Sequence, residues 1–255
     1  MRIPEGELGE FLEFNYQKYH QPWFRDTDPV SVPHLFSKRE DIEIAGLFAA
    51  TLAWGNRKSI VANARRLMLQ MDDAPHDFIM HASERDFNRF GTFVHRTFNG
   101  EDCIFFLRAL KHIYGVHASL EELFSGFNSD GALASITSFR SAFLSVPHAP
   151  RSGKHLSDPS RGSAAKRINM FLRWMVRSAE GGVDFGLWRT ISPAGLICPL
   201  DIHSGNVARK LGLLERKQND WRAATELTAS LRRFDQEDPV KFDIALFGLG
   251  VHEKF

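Results

Sequence analysis

Apolar residues along this chain recur at intervals of three and four, and runs that alternate apolar with polar residues are nearly absent. The pattern predicts an all-α protein. Ser37-Lys-Arg-Glu40 reads as a capping box. It opens a helix whose buried stripe is Ile42, Ala45, Phe48, Ala49 and Leu52, ending near Gly55-Asn56. Ile60, Ala64, Leu67, Met68 and Met71 repeat the spacing in the next helix. Asn99-Gly-Glu-Asp102 opens a third, with Phe106, Leu107, Leu110 and Ile113 inward and Gly115 at its end, and Ser119 caps a short one after it. Phe139, Phe143 and Leu144 belong to a further helix stopped by Pro147.

From Pro147 to Gly162 the periodicity gives way to a stretch rich in proline, glycine and serine, which reads as a long loop. Ile168, Phe171, Leu172, Met175 and Val176 then mark a strongly amphipathic helix that begins close to Lys166. The segment from Leu187 to Leu200, with Pro193, Gly195 and Pro199, reads as irregular and buried. Asp201 stands as the N-cap of a helix running to Gly212, and two more helices follow, Asp220–Phe234 and Pro239–Leu246, the latter with Asp238 as its cap. The whole chain reads as one helical unit. It subdivides approximately into residues 35–145 and 147–250, and the pattern leaves the N-terminal helix unplaced.

With 43% apolar and 25% charged residues the chain is of ordinary globular composition. No run of apolar residues approaches the roughly 18 that a membrane span needs, and the start, Met1-Arg-Ile-Pro-Glu5, lacks a signal-like apolar run, so a cytoplasmic protein is expected. Only Cys103 and Cys198 are present, which excludes a four-cysteine metal cluster, and the histidines show no paired ligand spacing; no metal site is expected. A net charge of +1 means that any nucleic-acid contact must come from a local patch. Between Pro147 and Arg177 the cations are Arg151, Lys154, Arg161, Lys166, Arg167, Arg173 and Arg177, and the only carboxylate is Asp158.

The stretch Cys198-Pro-Leu-Asp-Ile-His-Ser-Gly-Asn-Val-Ala-Arg-Lys-Leu-Gly212 resembles the signature of the helix-hairpin-helix DNA glycosylases, Pro-Val-Asp-x-His/Arg-Val-x-Arg, in which the aspartate at a helix start is catalytic. The matching residue is Asp201. Arg161-Gly-Ser-Ala-Ala-Lys-Arg167 is similar to the end of the hairpin, where a glycine turn leads into a helix bearing the catalytic lysine of bifunctional members, here Lys166. The spacing between the two is more similar to that of the archaeal 8-oxoguanine glycosylases than to that of the endonuclease III group, whose iron–sulfur cysteines are also missing. Residues 46–66 resemble the helix pair that opens the glycosylase fold. Arg167–Arg177 and Asp238–Gly250 are similar to a bacterial family of conserved hypothetical proteins placed near this superfamily. The family hairpin carries two glycines before its lysine, whereas only Gly162 precedes Lys166.

The resemblance implies two helical subdomains with a cleft between them. It also implies a base-excision glycosylase with AP lyase activity, acting without a cofactor, as a monomer, on an oxidised purine such as 8-oxoguanine in double-stranded DNA. In a bacterium such an enzyme would work on the nucleoid. The chemistry suits the two residues: an unprotonated amine attacks the anomeric carbon to give a Schiff base, and a carboxylate stabilises the positive charge developing on the sugar. Asp201 as an N-cap gains amide hydrogen bonds that keep it ionised. Lys154, Arg161, Gly162, Arg167 and His203 are the expected DNA contacts, and Asn169, Trp54, Trp174 and Trp188 are candidates for a pocket around an extruded base. Two other readings stay open: a nucleic-acid-binding module of the same fold without the chemistry, and an all-α scaffold whose basic loop binds an acidic protein.

Overall fold

A computed structural model describes residues 4–253 and residue 255. Residues 1–3, part of the segment without a signal-like apolar run, lie outside the described residues. In chain order the helices are α1 (Glu5–Tyr19), α2 (Pro22–Arg25), α3 (Arg39–Leu52), α4 (Arg57–Gln70), α5 (Pro75–His81) and α6 (Glu84–Asn88). They continue as α7 (Gly100–Tyr114), α8 (Phe127–Phe143), α9 (Lys166–Val176), α10 (Ile202–Lys210), α11 (Trp221–Arg232) and α12 (Phe242–Gly248). A single antiparallel hairpin, β1 (Val94–His95) and β2 (Phe98–Asn99), is the extent of sheet among the described residues. The protein is all-α, and no described helix is long and apolar enough to cross a membrane.

The chain divides into two compact units, Asp26–Ser157 and the combination of Met1–Arg25 with Asp158–Phe255. The division falls inside the segment read as one long loop, and the N-terminal helix joins the C-terminal unit, where α1 packs along α12.

In the Asp26–Ser157 unit α3 is buried on nearly every side, from Asp41 to Leu52. Its one fully buried charge, Glu43, accepts hydrogen bonds from Tyr114 Oη (2.8 Å), Ser119 Oγ (2.6 Å) and the Leu120 amide (3.0 Å), so a carboxylate is tolerated in the core. The Ser37–Glu40 capping box does not form. The helix starts only at Arg39, which leaves Glu40 at its second position, too early to reach back, and no side chain caps it. The boxes at Asn99 and at Asp201, and the cap at Asp220, form as the local sequence predicts.

The Pro147–Gly162 segment folds into two 3-10 turns, Pro150–His155 and Pro159–Arg161. The first is held by Asp102, which is fully buried at the start of α7. Its carboxylate accepts from Arg151 Nη1 (2.8 Å) and Ser152 Oγ (2.7 Å) and lies 3.1 Å from His155 Nε2. Burial pushes the Asp102 carboxyl up, but the Asn99 amide, Ser152 and the Arg151 charge outweigh it and hold it below the ordinary carboxylate range.

In the other unit the α9 residues Ile168–Val176 are all buried. Leu200, Val207, Leu227, Phe242, Ile244 and Leu246 are among the apolar residues of its core. Asp238 does not cap the helix that follows it. Its carboxylate turns instead to Arg177 Nε, at 2.9 Å from both oxygens, and Pro239–Lys241 forms a 3-10 turn before α12.

Candidate active site

The start of α9 is set by a turn. Gly162 takes the left-handed conformation (φ +88°) that favours glycine, and its carbonyl accepts from the Trp221 amide (3.0 Å) at the start of α11. Ala165, also left-handed (φ +48°), precedes Lys166 directly, and Asn169 Nδ2 donates to the Ala164 carbonyl (3.1 Å) to hold the turn. The Gly162 and Ser163 amides are already committed to the carbonyls of Pro159 (3.0 Å) and Asp158 (3.2 Å), so the expected phosphate contact by the Gly162 turn is not built as in a two-glycine hairpin.

Lys166 and Asp201 meet. Asp201 divides its two oxygens between two tasks: Oδ1 accepts from the Ser204 amide (2.9 Å) to cap α10, and Oδ2 lies 3.2 Å from Lys166 Nζ. The lysine side chain is 30% exposed and the aspartate 15%, so the pair is partly sheltered yet reachable. Burial pushes the Asp201 carboxyl up, but the Lys166 charge, the Ser204 amide and nearby His203 reverse this and leave it below its ordinary value. A carboxylate so held is ionised at neutral pH, as a counter-charge to a developing cation must be.

Beneath this pair in charge, though not in sequence, is a cluster that the spacing of residues does not reveal. Arg173 on α9 donates to Asp243 Oδ2 (2.5 Å) and lies 3.3 Å from Asp184 Oδ1. Arg177 reaches Asp184 Oδ2 (2.5 Å), both oxygens of Asp238 and Tyr16 Oη (3.1 Å). Asp243 is buried, which pushes its carboxyl up to about 6 against the pull of Arg173; the Asp201 charge raises it further and Lys166 opposes. The Cys198 thiol faces the same carboxylate at 3.8 Å and is itself pushed up by burial.

The other expected site residues differ in burial and placement. Trp174 and Trp188 are 0% and 1% exposed, core residues with no ring face open to an extruded base. Trp54 belongs to the Asp26–Ser157 unit, half-buried, with the Arg96 guanidinium 4.4 Å over its ring. Asn169 is buried one turn into α9, and its Oδ1 has no hydrogen-bond partner. Arg161 and His203 are exposed, and His203 sets its ring edge-on to Phe247 (6.4 Å). Arg167 is half-buried, and burial lowers its guanidinium below the ordinary value. Lys154 is exposed but belongs to the other unit.

The seven cations between Pro147 and Arg177 therefore do not form one open patch. Arg173 and Arg177 neutralise buried aspartates, and Arg151 is spent on Asp102, so charge counted along the sequence is not charge offered to a partner. Among the described residues no group of three or more histidines, cysteines or acidic residues is placed to hold a metal ion, and both cysteines are buried and unpaired.

A helical protein with a lysine–aspartate pair at two helix starts is the class these observations define. Compared with known families, residues 28–252 match the profile described as "Protein of unknown function (DUF2400)", and the chain belongs to that family. No curated protein and no solved structure matches the chain.

Proposed function

We propose that this protein is a base-excision DNA glycosylase of the helix-hairpin-helix kind with AP lyase activity. In this reading it acts as a monomer, without a cofactor, on an oxidised purine such as 8-oxoguanine in duplex DNA, and works in the cytoplasm, on the nucleoid if the source is bacterial. The observation that carries the proposal is the 3.2 Å approach of Lys166 Nζ to Asp201 Oδ2 in a partly open position, with the other aspartate oxygen satisfied by its helix. The turn at Gly162 followed by α9 takes the part of the hairpin and its lysine helix.

In the reaction so assigned, Lys166 first gives up its ammonium proton to solvent, and its free amine then bonds to C1′ as the bond from C1′ to the base breaks. The electron pair leaves with the base, which takes up the proton that the amine gives up. Asp201 stays ionised and stabilises the positive charge on the sugar. Ring opening leaves a Schiff base on Lys166, the species from which strand cleavage proceeds.

One observation favours the non-catalytic reading: the Asp201 capping box accounts by itself for an aspartate at a helix start. Borohydride separates the two. The parent protein is expected to become covalently trapped on a duplex containing 8-oxoguanine, and Lys166→Gln to lose trapping while keeping its DNA affinity. A parent that binds the damaged duplex but is never trapped, and releases no base, would leave the non-catalytic module as the reading.

A further inference from the structure

The Asp26–Ser157 unit carries exposed positive charge of its own. From Ile44 to Met71 the sequence contains no carboxylate, while α4 carries Arg57, Lys58, Arg66 and Arg65, the last paired with Asp73 at 3.2 Å. The β1–β2 hairpin is joined to α4 by Asn63 Nδ2 at 2.9 Å from His95 Nδ1 and by Arg66 Nη2 donating to the Val94 carbonyl at 3.4 Å. Helical spacing puts Ser59, Ala62, Asn63 and Arg66 on one side of α4, and of these Ser59, Ala62 and Arg66 are exposed.

At the tip of the hairpin stands Arg96. It is the first residue of the two-residue turn between β1 and β2, and its φ of +55° is a backbone conformation that glycine adopts freely and a side-chain-bearing residue only under strain. The chain nonetheless places an arginine there. The guanidinium is held 4.4 Å over the Trp54 ring, and Gly55 gives it room, since a Cβ at that position would lie 2.7 Å from Arg96 Nη1. Arg96 makes no ion pair among the described residues. Arg66 is fixed in the same manner, with its guanidinium 4.8 Å over Phe93 and its hydrogen bond to a carbonyl, not a carboxylate. Both are exposed. Two guanidiniums braced against aromatic faces have already given up side-chain freedom, and their charge is left for an outside partner.

We propose that this α4–hairpin face binds the sugar-phosphate backbone of nucleic acid, with Arg96 and Arg66 as its phosphate contacts. Planar, exposed cations in fixed positions match phosphate oxygens. An acidic protein partner would be expected to find an apolar centre as well, and here Val94 is the one large apolar side chain of the hairpin left exposed. The proposal stands on this unit alone and does not depend on the chemistry of Lys166 and Asp201.

The test is fluorescence anisotropy of the full chain on a labelled duplex and on the matching single strand across a salt series. The double change Arg66→Gln and Arg96→Gln is expected to weaken binding by roughly tenfold or more, equally for all sequences, and to flatten the plot of log K against log salt by about 2. Arg108→Gln, which removes an exposed guanidinium already paired with Glu84, should change neither. Arg96→Gly removes the charge while giving the turn the residue it favours. Binding should fall while thermal stability is held or raised, an outcome a merely structural arginine would not give. Unchanged affinity and slope in the double variant, or a parent that binds an acidic protein but neither form of nucleic acid, would overturn the proposal. Borohydride trapping in parallel keeps this result apart from the glycosylase reading: a parent that is never trapped but loses binding on Arg96→Gln contradicts the chemistry and supports the surface.

Discussion

Replacing Asp201 with asparagine is expected to slow base release by about a hundredfold or more while leaving the fold and the affinity for damaged duplex unchanged. The reason lies in the division of labour between its two oxygens. An asparagine carbonyl can accept the Ser204 amide as Oδ1 does now, so α10 keeps its cap. The charge facing Lys166, and on the proposed chemistry the sugar, is lost. Single-turnover excision, together with helicity and melting temperature, separates these effects. Asp201→Ala is the poorer test, because losing the cap costs about 0.5–2 kcal/mol and mixes stability with chemistry. An asparagine variant that excises as fast as the parent would reduce Asp201 to a cap.

The largest expected loss of stability comes from Arg173. Arg173→Met leaves Asp243 buried without its guanidinium, whereas Asp184 retains Arg177. Removing one partner of a buried ion pair costs about 3–5 kcal/mol, because the remaining charge stays out of water. The pH dependence has a definite sign. Asp243 is a carboxyl raised to about 6 in the folded protein, above its value in the unfolded chain, and losing Arg173 raises it further. A raised carboxyl favours the folded state when protonated, so the deficit of the variant is widest at alkaline pH and narrows as the pH falls toward about 6. Urea denaturation at several pH values measures this. Adding Asp243→Asn to Arg173→Met should recover part of the loss, and a deficit independent of pH would place the effect in packing instead of charge.

These two residues also mark where the sequence is legible and where it is not. Capping is local chemistry, so the starts of α7, α10 and α11 can be read from Asn99, Asp201 and Asp220, and the apolar spacing from Ile168 to Val176 locates α9 and with it Lys166. The resemblance to the glycosylases then joins Lys166 to Asp201, which the fold brings to 3.2 Å. Counting cations fails for Arg173 and Arg177 because it assumes that charge is solvated. Their partners, Asp184, Asp238 and Asp243, stand at unrelated spacings, and only folding shows that α9 is buried on its polar side as well. Trp174 proves a core residue for the same reason. The hairpin that carries Arg96 has two residues in each strand, too few for an alternating pattern to register.

The most direct test of Lys166 as the nucleophile is to digest the borohydride-reduced adduct formed on a duplex containing 8-oxoguanine and locate the modified residue by mass spectrometry. The sugar remnant is expected on Lys166, and Lys166→Gln should yield no adduct. An adduct on another lysine, or none from a protein that still releases the base, would contradict the assignment of Lys166 as the nucleophile.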